Sequence, residues 1–165
     1  MCSSDLVLVR HFVQQATPVD LQALADCIAA EEAARLAGDT ATALRQSGHF
    51  HLLVADAAGH LTFAGFLRKL VSRTSLILMA HAPEPGMVPG LLPIGAAPAH
   101  RPRRWVQACR CDEHRGLLAA LKAAVKARAQ PSKAASTLAL AEQLMGEHLL
   151  HIEASLRLDD AQGAA

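Results

Sequence analysis

The stretch running from Thr17-Pro18-Val19-Asp20-Leu21 to Arg35-Leu36-Ala37-Gly38 decides the fold. Thr17 is an N-cap residue, Pro18 suits the first helical position, and Asp20 places a negative charge in the first turn. Apolar residues then recur at intervals of three and four: Leu21, Leu24, Ala25, Ile28, Ala29, Ala33 and Leu36. That is the period of an amphipathic helix, and Gly38 closes it as a C′ residue. Glu31-Glu32 reads as solvated charge on the outer face of this helix.

The same grammar extends in both directions. Leu6 to Gln15 reads as a short helix. Asp39 or Thr40 caps the next, carrying Ala43, Leu44, Phe50, Leu53, Val54 and Ala57 to a stop at Gly59. Another runs from about Leu61 to His81. Its β-branched run Val71 to Ile77 would suit a strand, but the helical period carries through. Residues 82–104 hold six prolines with Gly86, Gly90 and Gly95, so no regular element is expected there. Helical pattern resumes at Asp112 to about Arg128, breaks at Gln130-Pro131-Ser132, and returns from about Ser136 to Leu156. The expectation is an all-α fold, an antiparallel bundle of five to six helices. The domain would span residues 7–158, with 1–6 a non-native lead-in and 159–165 a flexible tail.

Composition agrees and excludes several functions. The chain has 165 residues, 52% of them hydrophobic and 19% charged, which is far from a disordered composition. Alanine makes up about a fifth of the chain and aromatics 3%, a balance that favours packed helices over a β sandwich. A net charge of +1 is poor equipment for gripping nucleic acid unaided. The apolar run Leu76 to Ala80 is too short to span a bilayer, and no secretory leader is legible. The cysteines Cys2, Cys27, Cys109 and Cys111 form no zinc-finger spacing and imply a reduced, cytoplasmic setting. Cys109 and Cys111 precede a helix start that would favour a thiolate, but no partner group for a catalytic cysteine is visible.

Histidine is the unusual entry, with nine residues. Three segments set a histidine beside core-facing positions: Ser47 to Leu53, Asp112 to Leu118, and Gly146 to Glu153. Three imidazoles entering a bundle from three helices would hold a divalent metal and offset their own desolvation. His49 and His51 are two positions apart, so only one can face inward. His148 and His151 are three apart and can share a face, which leaves the choice between them open. The competing explanation for each is an ordinary core or surface histidine. His11, His60, His81 and His100 read as surface or loop residues.

The run Ala16-Thr17-Pro18-Val19-Asp20-Leu21, then Ala37-Gly38-Asp39, Phe50-His51, Ala57-Ala58-Gly59, Glu113-His114 and Met145-Gly146-Glu147-His148-Leu149 resembles the FCD effector domain of GntR-family transcription regulators. That resemblance implies an all-α bundle with a metal held by one Asp and three His, and a small carboxylate effector in the same cavity. Carried over by position, the metal ligands are His51, His114 and His148, and Ser47 stands where the family has its Asp. Serine is a poor ligand. The site is then weaker, takes water or the effector as fourth ligand, or holds no metal; zinc, nickel and manganese are the candidates. Ser47 and Arg73 are the effector-contacting candidates, Arg73 as the cation for a carboxylate. The resemblance also implies a homodimer, and DNA contact only through a winged-helix domain that this chain lacks. The expected role is therefore a sensing domain and not an enzyme. The rival is a metal-dependent enzyme on the same bundle, disfavoured because no general base is legible beside the three histidines.

Overall fold

The computed structural model describes residues 3–80 and 111–157. These form six helices and, among the described residues, no strand: α1 (Ser3–Gln15), α2 (Pro18–Leu36), α3 (Thr40–Ala57), α4 (Leu61–Ala80), α5 (Cys111–Ala127) and α6 (Pro131–Arg157). The all-α bundle expected from the periodicity is what the chain adopts. The proline-rich segment 82–104, with His81, His100 and Cys109, and the tail 159–165 lie outside the described residues.

Local chemistry fixes the corners. Thr17 and Asp20 form a reciprocal capping box on α2. The Thr17 backbone N–H donates to Asp20 Oδ2 at 2.8 Å, and the Asp20 N–H donates to Thr17 Oγ1 at 3.3 Å. At the other end Gly38 adopts φ +71°, its N–H reaching the Arg35 carbonyl and that of Asp39 the Ala34 carbonyl. This paired closure needs a left-handed residue, hence glycine. Asp39 then caps α3, accepting from the Thr42 N–H at 2.9 Å, so the α2–α3 turn is two residues of stop followed at once by start. The Arg128 guanidinium, just past α5, donates to the carbonyls of Gln14 and Ala16 at 3.1 Å each, binding a cation to the C-terminal end of α1.

Two helix starts clearly precede the expected ones, α1 at Ser3 for Leu6 and, by a wider margin, α6. Helix α6 begins at Pro131, five residues before the expected Ser136. Pro131 does end the preceding helix, because it has no N–H to donate, but the same lack suits a first helical position. The Lys133 and Ala134 N–H groups close the new turn on the Gln130 carbonyl.

The most extensive pairings are α2 with α3 and α5 with α6, with α1 packed on α6 and α2 on α5. Their shared interior holds Val9, Phe12, Leu24, Phe50, Val54, Leu117, Leu121 and Met145, all essentially without solvent contact. Helix α4 packs on α3 and leaves Leu61, Phe66, Leu76 and Ile77 exposed.

Candidate metal centre

Four helices each send one row of residues into this interior, and each row carries a polar member. On α3 the buried set Ala43, Leu44, Ser47, Phe50, His51, Val54 and Ala55 follows the helical period. Helix α5 contributes His114 one turn before Leu117 and Leu118, and α6 contributes His148 one turn after Met145. Helix α2 contributes Glu31, in phase with Leu24, Ile28 and Ala34.

The three histidines converge. His51 Nε2 lies 3.1 Å from His148 Nε2, which lies 3.3 Å from His114 Nε2. One ligand atom from each falls within 4.8 Å of the other two. The rings pack against one another, His51 stacked on His148 with centroids 5.1 Å apart, and Phe50 stacks on His114 at 4.5 Å. All three residues are buried. The angular argument for the first pair holds: His49 is exposed where His51 is buried; in the second pair, which spacing left open, His148 is buried and His151 exposed.

Two carboxylates stand behind the imidazoles. His114 Nδ1–H donates to Glu31 Oε2 at 2.7 Å, and Arg35 donates to Glu31 Oε1 at 2.7 Å. His148 Nδ1–H donates to Glu113 Oε2 at 2.8 Å. Glu31 is therefore not the solvated charge its sequence position suggested; it is fully buried. The signal was present in the period, because Leu24 and Ile28 continue at the next turn onto position 31. A charged residue on an apolar stripe marks a buried polar contact. Burial pushes the Glu31 carboxyl up, but the hydrogen bonds and charges of His114 and Arg35 outweigh it and hold the group below its ordinary range. Glu113 behaves in the same way through His148 and His151.

This pattern determines where the protons sit. A carboxylate only accepts, so Nδ1 of His114 and of His148 carries the hydrogen, and in the neutral ring each Nε2 is a lone pair aimed at the middle. His51 can offer a single Nε2–H to two such lone pairs. Protonating a ring instead is resisted: burial, then the neighbouring His148 and His114, hold His51 well below its ordinary value. Burial, then His114, holds His148 below its own, against the opposing pull of Glu113. The three Nε2 atoms thus face one another with no carboxylate between them. A divalent cation at about 2.1 Å from each nitrogen would set neighbouring nitrogens roughly 3.0–3.4 Å apart, and the two Nε2 separations lie in that interval.

Ser47 is buried on α3 one turn before His51, while Arg73 is exposed on α4. His11 and His60, expected at the surface or in a loop, are half-buried and meet edge to face with centroids 4.6 Å apart. Cys27 is buried, its thiol reaching the Gln46 carbonyl at 3.2 Å, and burial followed by the Glu31 charge pushes it up to about 11. That is a structural thiol rather than a nucleophile.

Fold and site together define an all-α domain with a cluster of metal-ligand type at its centre. Among families, the chain belongs to the FCD domain family, which matches residues 5–151. FCD domains are the effector-binding domains of GntR-type transcription regulators, regulatory rather than catalytic. Comparison with curated proteins and with solved structures returned no match. No helix among the described residues is long and apolar enough to cross a membrane.

Proposed function

We propose that this chain is the sensing and dimerising domain of a GntR-type regulator, holding a divalent cation on His51, His114 and His148 and a small carboxylate effector at the same centre. The observation that carries this is the convergence of three buried Nε2 atoms, two of them on rings whose Nδ1–H donates to a carboxylate on the far side. Zinc, nickel or manganese suits such a nitrogen set. When bound, the cation supplies positive charge and open coordination positions to an incoming anion.

The chain's own residues do the rest. Ser47 stands on α3 where the family has its Asp, so no carboxylate there offsets the charge of a bound cation, which favours an anionic effector. Ser47 and Arg73 are the proposed polar contacts of that effector. Glu31 and Glu113 face the outer Nδ1 atoms, which places them as ring anchors rather than as bases on the Nε2 side. An effector that binds one arrangement of the bundle more tightly shifts the population toward it, and in a regulator that shift is passed to a DNA-reading domain.

The test is metal content of the purified chain by mass spectrometry, with thermal melts before and after chelation. We expect about one divalent ion per chain and, with the cation at a hundredfold excess over its dissociation constant, about 2.7 kcal/mol of added stability. His51→Ala, His114→Ala and His148→Ala should each abolish both. A wild-type chain that takes up no zinc, nickel or manganese overturns the metal reading.

A further inference from the structure

Glu113 is shared between two histidines of α6, one buried and one at the surface. Its Oε2 accepts from His148 Nδ1 and its Oε1 from His151 Nδ1, both at 2.8 Å. His148 and His151 are three positions apart, so successive turns of α6 grip the two oxygens of one carboxylate from α5. Glu113 keeps 23% of its side chain in contact with solvent, and His151 keeps 62%. A carboxylate so placed has hydration available as an alternative to the His148 ring. His151 removes that freedom by occupying the second oxygen. On the opposite flank Arg35 does the same for Glu31.

We propose that Glu113 and His151 are a positioning pair: together they hold the proton of His148 on Nδ1, keep its Nε2 available at the centre, and so set the affinity of the trio for a divalent cation. The cation-binding part of this rests on the preceding reading; the tautomer part does not. Carboxylates behind metal-bound imidazoles fix ring orientation and raise ligand basicity, and their loss costs about 10–100-fold in affinity. The difference here is that the carboxylate is itself held by a surface histidine, so a residue outside the buried trio tunes a ligand within it.

Three variants of the full chain test this. Glu113→Gln has one acceptor oxygen for two donors. His151→Ala releases the second oxygen. His151→Asn restores a donor, because the asparagine amide nitrogen falls where Nδ1 of the ring stood. Zinc affinity is measured by competition with a chromophoric chelator, and the His148 tautomer in zinc-free protein by long-range nitrogen–proton NMR correlation. We expect zinc to bind about 10–100-fold more weakly to Glu113→Gln and about tenfold more weakly to His151→Ala. We expect His151→Asn to recover most of that loss. In zinc-free protein His148 should be Nδ1–H in wild type and a mixture of tautomers in Glu113→Gln. Equal zinc affinity in wild type and His151→Ala, or an unchanged His148 tautomer in Glu113→Gln, overturns the proposal. A wild type that binds no zinc sinks the metal reading and the affinity claim with it, while the tautomer measurement still decides whether the pair positions His148.

Discussion

The two flanks of the histidine trio do the same job in opposite surroundings. On the α2 side Glu31 is fully buried and clamped by Arg35; on the α5–α6 side Glu113 is partly solvated and clamped by His151. Each fixes one imidazole through Nδ1. The difference lies in what happens when the arm is broken. A buried carboxylate has no water to replace its partner, and the partner has none to replace the carboxylate. On the wet side solvent can step in. The α2 arm should therefore act mainly on folding, and the α5–α6 arm mainly on the site.

The largest expected effect tests that division directly. Glu31→Ala leaves the His114 Nδ1–H buried without an acceptor and Arg35 without its anion, and should destabilise the chain by about 3–5 kcal/mol. Glu113→Ala should cost about 1 kcal/mol, because the place its partly exposed side chain vacates is open to water. Urea unfolding at pH 7.5 without metal measures both. Equal losses would break the comparison.

Acid should attack His51 and His148 before it attacks the arms. His51 and His148 are held below their ordinary values by burial first and by neighbouring imidazoles second. As pH falls through about 6.5 the unfolded chain takes up protons that the native site refuses, so stability falls at up to about 1.4 kcal/mol per pH unit for each group. Glu31 and Glu113, net lowered despite burial, give a second loss only below about pH 4.5, when the unfolded carboxyls protonate first. Stability measured between pH 8 and pH 4 should show the two windows, and His51→Ala should flatten the upper one. Bound metal should be released across that same upper window, since protons compete for the ligand nitrogens.

What the sequence disclosed divides along a similar line. The helices were legible because their signals are local: Thr17 with Asp20, Gly38, Asp39 and the apolar period each act within a turn or two. Helical geometry allowed only one of His49 and His51 to face inward, and the family resemblance pointed to His51, the buried one. The burial of Glu31 was legible in the period of Leu24 and Ile28, but its partner was not, because His114 lies 83 residues away and only tertiary packing brings the two together. The contact of Glu113 with His148 and His151 stayed hidden for the same reason, its partners lying 35 and 38 residues away. Pro131 was read for what it forbids to α5 and not for what it permits to α6.

The smallest expected effect separates the two clamps themselves. Arg35 keeps about a fifth of its side chain in solvent, 22%, and donates twice to a carboxylate oxygen that is otherwise dry. Removing it by Arg35→Ala leaves Glu31 with His114 alone, and water can enter only along the space the guanidinium vacates. We expect a loss of about 1–2 kcal/mol. His151→Ala leaves Glu113 with solvent already at hand, and should change stability by about 0.5 kcal/mol or less. Paired urea titrations resolve this difference, provided both variants keep the wild-type denaturant slope. If His151→Ala costs as much as Arg35→Ala, Glu113 is as dry in solution as Glu31, and the distinction between a folding arm and a tuning arm fails at its weaker end.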